Sequence, residues 1–254
     1  MSRTLVFAYG VVSYAIFLGT FLYAVGFVGN FATPTSLDAG TQGPLGRALA
    51  VNLLLLTVFA LQHSVMARPA FKRWLTRFVP PPAERSTYVL ASSVALILLF
   101  ALWQPMGGIV WDVENAAGRA LLYGAFGLGW STVLVTTFLI NHFDLFGLRQ
   151  VWLHLRGREY TKLQFTMPGP YKHVRHPLYV GWLLAFWATP TMTVAHLVFA
   201  LMTTAYILVA IQLEERDLVA AHPEYETYRR QVPMLIPRAP KAAAPASAAS
   251  RHTA

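Results

Sequence analysis

Two short clusters carry the residues that could do chemistry. The first is Gly169-Pro170-Tyr171-Lys172-His173-Val174-Arg175-His176-Pro177-Leu178-Tyr179-Val180-Gly181. The second is Glu214-Glu215-Arg216-Asp217, followed by Tyr225, Tyr228, Val232 and Pro233. The residues between them are apolar apart from Thr189-Pro190-Thr191. A chain folded back at that break returns both clusters to one membrane face. Arg175 and His176 are therefore expected beside Glu214 and Glu215. Pro177 suits the first turn of a helix, where its missing N–H is harmless. The free N–H groups of such a turn favour anions, and Lys172 and Arg175 add positive charge there. A carboxylate at the end of an apolar helix opposes the helix dipole and is costly at a membrane boundary. Glu214 or Glu215 is thus a candidate to hold a cation or to accept from a ribose; simple solvation at the interface is the plainer alternative.

Other titratable groups are weaker candidates. His173 and His176 have the spacing of metal ligands. Pro177 interrupts that piece, however, and no His-Glu-x-x-His occurs, so the reading assigns no metal site. Gln62-His63 ends one apolar run, and His142 and Asp144 follow another. Each histidine is a possible base, and each also reads as an ordinary polar contact.

The elements that must position these groups are membrane helices. The composition is 56% hydrophobic and 12% charged, with mean hydropathy +0.47, against about 25% charged residues in soluble domains. There is no cysteine, which excludes disulfides, thiolate metal sites and thiol nucleophiles. Apolar runs at Leu5 to Val28, Ala48 to Met66, Tyr88 to Trp103, Leu121 to Ile140 and Val194 to Leu213 fit spans of about 20 residues. The first run is longer than the roughly 7–15 residues of a signal-peptide core, so it reads as a retained span. Leu178 to Thr189 is short for a crossing. Gly124, Gly127 and Gly129 are expected to allow close helix approach. Pro80-Pro81-Pro82 reads as an extended piece in a basic loop, Asn141 to Pro177 as a polar insertion, Asp217 to Gln231 as an amphipathic stretch. The tryptophans read as interfacial belts. The expectation is an all-α, polytopic integral membrane helical bundle of about five to six transmembrane helices with a C-terminal helical hairpin. It occupies residues 1–238, divided at 140, and residues 239–254 read as a disordered tail.

Charge sets the orientation. Of the 20 Lys and Arg, all but Arg47 and Arg119 fall on one side if the hairpin crosses and returns. By the positive-inside rule both termini are cytoplasmic, in a bacterial inner membrane. The same distribution accounts for the net charge of +9 without nucleic acid.

The entry motif, the hairpin, Glu-Glu, Tyr-x-x-Tyr and Val-Pro resemble the isoprenylcysteine carboxyl methyltransferase and phospholipid methyltransferase superfamily over about Pro168 to Pro237. Leu61-Gln62-His63-Ser64-Val65-Met66-Ala67-Arg68 and Glu84-Arg85-Ser86-Thr87-Tyr88 resemble NnrU-type membrane proteins. Together the halves resemble bacterial thiol methyltransferases that turn methanethiol into dimethyl sulfide. The resemblance implies S-adenosyl-L-methionine as methyl donor. It implies one cofactor wall from His173, Val174, Arg175, His176, Tyr179 and Gly181, a second from Glu214 and Glu215, and closure by Tyr225 and Tyr228.

Methylation of a small thiol needs the thiol proton removed. A cysteine-like thiol has a pKa of about 8.5, and a simple alkyl thiol is less acidic. His63, His142 and Glu214 are the candidate proton acceptors. Three alternatives stay open: a superfamily methyltransferase acting on isoprenylcysteine, a phospholipid amine or another thiol; a non-catalytic NnrU-like protein or small transporter; and a nicotinamide-dependent reductase.

Overall fold

A computed structural model describes residues 2–161, 163 and 166–237. Lys162, Arg238 and the tail expected at 239–254 lie outside the described residues. The chain is an all-α membrane bundle with one small two-stranded ribbon. Among the described residues, five helices are long and apolar enough to cross a bilayer: α1 (Arg3–Gly29), α2 (Leu45–Ala67), α4 (Glu84–Leu102), α5 (Ala116–Ile140) and α9 (Val194–Ala221). Shorter helices are α3 (Pro69–Leu75), α6 (His142–Leu145), α7 (Leu148–Leu155), α8 (Pro177–Trp187) and α10 (Glu224–Gln231).

The caps follow from local sequence. Ser2 accepts from Leu5 N, Asn115 from Gly118 N and Thr193 from His196 N, so each opens its helix with a satisfied donor. Asn30 ends α1 in the left-handed conformation that asparagine tolerates. The three prolines at 80–82 do not run on as an extended piece. Pro81–Ala83 form a 3-10 turn that leads into α4, with Ala83 N donating to Pro80 O at 2.8 Å. The fixed φ of proline suits the start of such a turn, where no donor is needed.

α8 has 11 residues, about 16 Å at 1.5 Å per residue, roughly half of a 30 Å hydrocarbon core. It is followed by strand β2 (Thr191–Thr193), which pairs antiparallel with β1 (Ile109–Asp112). α8 runs closest to α5 and stands further from α9. Glycine explains the first contact. A Cβ on Gly129 would lie 2.6 Å from Ala185 N, and one on Gly181 would lie 2.9 Å from Gly129 O. The two backbones touch, as small residues permit between membrane helices. Gly124 and Gly127 face open space instead, with nothing within 4 Å of an added Cβ.

An aromatic core holds these helices together. Trp130 packs edge-on to Trp182 at 5.1 Å, Phe186 to Phe199 at 5.1 Å, and Trp103 to Phe199 at 5.9 Å. Trp103 and Trp130 are buried, so they are core residues rather than members of an interfacial belt; Trp111 and Trp152 are exposed. Next to this core, Asn52 takes Gln104 N and gives to Gln104 O, and Trp103 Nε1 donates to Leu37 O. Asp38 accepts from Thr193 Oγ1, tying the first loop to the start of α9.

Candidate active site around Glu214 and Glu215

Helix periodicity separates the two glutamates. Ile207, Ile211 and Glu215 follow at intervals of four and share the buried face of α9. Tyr206 and Glu214 occupy the next face, which is open. Adjacent carboxylates therefore enter different environments.

Glu215 is 5% exposed and sits in a closed cluster. Its Oε1 accepts from Arg175 Nε at 2.6 Å and lies 2.9 Å from His176 Nε2. Tyr225 Oη donates to the same oxygen at 3.4 Å. Arg175 Nη1 also donates to the carbonyls of Arg229 and Val232, at 2.9 and 2.6 Å. The backbone N–H groups of Arg175 and His176 donate to Pro233 O and Met234 O. Tyr228 Oη donates to Tyr171 O at 2.5 Å. Burial, then the charge of Glu215, pushes the Tyr225 phenol up; burial first brings Tyr228 up to about 12. Both phenols stay protonated at neutral pH and act as donors. Entry loop, α9 and the segment after α10 are thus one clamp.

Glu214 is exposed and accepts only from Tyr179 Oη, at 2.9 Å, among the described residues. A second polar group joins α2, α4 and α9. His63 Nε2 lies 2.8 Å from Tyr88 Oη, and its Nδ1 lies 3.2 Å from Ser92 Oγ. Ser64 Oγ meets Tyr206 Oη at 3.2 Å. Phe59 stacks on the His63 ring at 5.3 Å. Arg68 pairs with Asp217 at 3.0 Å and ties α2 to α9 below this group. Tyr88, Ser92 and Tyr206 were not among the residues that sequence reasoning singled out for chemistry. A lone tyrosine eight positions before Glu214, on its helix face, was the available signal.

The remaining candidates are placed as follows. His173 is exposed, while Val174 is buried beside the clamp. Gly181 faces α5 and serves the close helix contact. His142 is buried on the far side of the bundle, with Nδ1 2.8 Å from Thr137 Oγ1 and Nε2 2.8 Å from Tyr14 Oη. Thr137 already donates to Leu134 O, so its oxygen accepts from Nδ1–H and the Tyr14 hydroxyl donates to Nε2. Burial lowers the pKa of His142. Asp144 does not orient it: that carboxylate pairs with Arg149 at 2.9 Å and with Tyr160 at 3.2 Å.

Residues 131–220 match the model of the isoprenylcysteine carboxyl methyltransferase (ICMT) family. Over 238 residues the chain is 62% identical to the methanethiol S-methyltransferase of Crocosphaera subtropica, covering 93% of each chain. It is 56% identical over 238 residues to that of Mycobacterium tuberculosis, covering 93% of this chain and 98% of that one. It is 55% identical to methanethiol S-methyltransferase 2 of Bradyrhizobium diazoefficiens, covering 93% of this chain and 92% of that protein. No solved structure matches it. With the ICMT-type stretch carrying the Arg175–Glu215 clamp and the likeness covering 93% of the chain, the chain belongs to the family of the methanethiol S-methyltransferases.

Proposed function

We propose that this chain methylates methanethiol to dimethyl sulfide, with S-adenosyl-L-methionine as methyl donor. The observation that carries the reading is the Tyr179–Glu214 bond on α9, the helix that Ser64–Tyr206 and Arg68–Asp217 tie to α2 and its His63. The donor set fits such a ligand. Glu214 has an oxygen, Oε1, without a partner among the described residues, suited to ribose hydroxyls or an ammonium. Exposed His173 and the outer face of Arg175 border the same entry loop. The Glu215 clamp fixes that loop, and Tyr225 and Tyr228 brace it from below.

When bound, the donor supplies a methyl group on a positively charged sulfur. The protein's task is to bring a thiolate in line with it, and positioning supplies a large share of such accelerations. Opposite charges cancel as methyl moves, so an apolar wall such as Phe59, stacked on the His63 ring, favours the step. We assign the thiol proton to His63 by way of Tyr88. Both ring nitrogens of His63 are engaged, so the Tyr88 oxygen is the group left to face an acceptor. It takes the thiol proton while its own proton moves to His63 Nε2. Of the other two candidate acceptors, His142 lies among α1, α5 and α6, and Glu214 is kept for the donor.

Donor and thiol reach this site from the cytoplasm if both termini are cytoplasmic. Arg68, Lys72, Arg73, Arg77, Arg85, Arg149 and Arg175 on the same end of the bundle support that orientation. The test is direct. Membranes carrying the protein, given S-adenosylmethionine and methanethiol, release dimethyl sulfide into the headspace. A folded protein that binds the donor but releases none, while methylating an isoprenylcysteine or a phospholipid amine, overturns the acceptor assignment.

A further inference from the structure

A cavity of about 570 Å³ opens between the starts of α1 and α4 and the end of α7, within the roughly 300–1,000 Å³ range of small-molecule sites. It is separate from the Glu215 clamp, which belongs to α8, α9 and α10. Three guanidiniums line it, from Arg3, Arg85 and Arg158, against the carboxylates of Glu84 and Glu159. None of the three arginines forms an ion pair among the described residues. Two acceptor atoms in the same lining, Glu84 Oε1 and Gln150 Oε1, are buried without a donor. Buried polar atoms are ordinarily satisfied, so an orphaned pair calls for a partner. Unpaired guanidiniums call for an anion of phosphate or carboxylate geometry.

Position narrows the ligand. α7 carries Trp152, which is 48% exposed, lies 5.8 Å from the ring of Phe7, and has Arg156 over its own ring. An outward tryptophan beside arginine marks headgroup depth. Basic pockets at the ends of membrane helices hold lipid headgroups. We propose that this cavity binds a phosphate that carries a primary ammonium, as in the headgroup of phosphatidylethanolamine. The arginines take the phosphate oxygens, and the ammonium gives its N–H groups to Glu84 and Gln150. Arg85 links the cavity to the inner site, because its guanidinium also lies 5.6 Å from the centre of the Tyr88 ring. The inference does not depend on the methyl-transfer reading.

Native mass spectrometry of the purified full chain, titrated with single lipids, tests it. Phosphatidylethanolamine is expected to be retained at least tenfold better than phosphatidylcholine, whose ammonium has no N–H, and better than phosphatidylglycerol. The paired change Arg3→Ser and Arg158→Ser is expected to lower that retention at least tenfold, with unchanged elution as a folded monodisperse species. Glu84→Gln, which keeps the fold's contacts and removes the charge, should narrow the preference over phosphatidylcholine. Free O-phosphoethanolamine is the second arm: competition by it at concentrations near those of the lipid assigns the same site to a soluble ligand. Equal retention of all three lipids, or retention indifferent to Arg3→Ser with Arg158→Ser and to Glu84→Gln, overturns the proposal.

Discussion

Glu214 and Glu215 are neighbours in sequence yet bond to different partners. Glu214 takes the Tyr179 hydroxyl at 2.9 Å, while Glu215 takes Arg175 at 2.6 Å. One residue along a helix is a rotation of about 100°, which sends one carboxylate into the clamp and leaves the other open. Removing Glu215 strands a buried arginine, and breaking such a pair costs about 3–5 kcal/mol. Glu215→Ala is therefore expected to lower the thermal midpoint strongly and to lose donor binding only through misfolding. Glu214→Ala should leave the midpoint within a degree or two and weaken S-adenosylmethionine binding at least tenfold. Calorimetry on both detergent-purified variants distinguishes the roles; normal donor affinity in a folded Glu214→Ala protein removes Glu214 from the site.

The His63–Tyr88 pair makes a sharper claim about rate. General-base groups contribute about 10²–10⁴-fold. His63→Gln is expected to lower kcat within that range while donor affinity stays the same. Tyr88→Phe keeps the ring beneath Arg85 but removes the relay oxygen. It should lower kcat at least tenfold, and raising the pH should restore part of the loss because more thiolate is then present in solution. A Tyr88→Phe enzyme with the wild-type pH–rate profile is incompatible with the relay.

Much of this arrangement was legible in the sequence, for reasons that differ by element. α1, α2, α4, α5 and α9 are apolar runs long enough to be read by length alone. The meeting of Arg175 with the acidic exit followed from the break at Thr189-Pro190-Thr191, since a hairpin must return. What stayed hidden depends on tertiary context. β1 and β2 are strands because they lie side by side, and neither run has a pattern of its own. α7 sits inside a stretch that reads as polar, yet Val151 fills the space left by Gly10 of α1. Tyr206 is one hydroxyl in an apolar helix, and only its phase relative to Glu214 marks it. The separate duties of Glu214 and Glu215 needed the buried stripe of Ile207 and Ile211 to be known.

The stability of the protein should depend on the charge of His142. Burial lowers its pKa in the folded chain, while an unfolded histidine titrates near about 6.5. Between those two values the unfolded chain binds more protons, so stability rises with pH there. The contribution of neutral His142 is present above about 6.5 and is lost as the pH falls from there through the lower folded value. One proton limits the slope to about 1.4 kcal/mol per pH unit. The thermal midpoint is therefore expected to fall more between pH 7.5 and 5.5 in the wild type than in His142→Gln. Parallel falls in the two proteins contradict the assignment.

The α5–α8 contact gives the last expectation. Gly181 has Gly129 O and Val133 N each 2.9 Å from where a Cβ would stand, and both are backbone atoms that cannot swing aside. Gly181→Ala must push the helices apart, and overpacking of this kind costs about 1–3 kcal/mol. α8 carries Tyr179 and follows directly from Arg175 and His176, so a displaced α8 loosens both the clamp and the Tyr179–Glu214 bond. Gly181→Ala is expected to lower the thermal midpoint and also to weaken donor binding. Gly124→Ala and Gly127→Ala, where an added Cβ meets nothing within 4 Å, should do neither. Unchanged stability in Gly181→Ala, measured beside these two controls, shows that the helices do not meet at this distance.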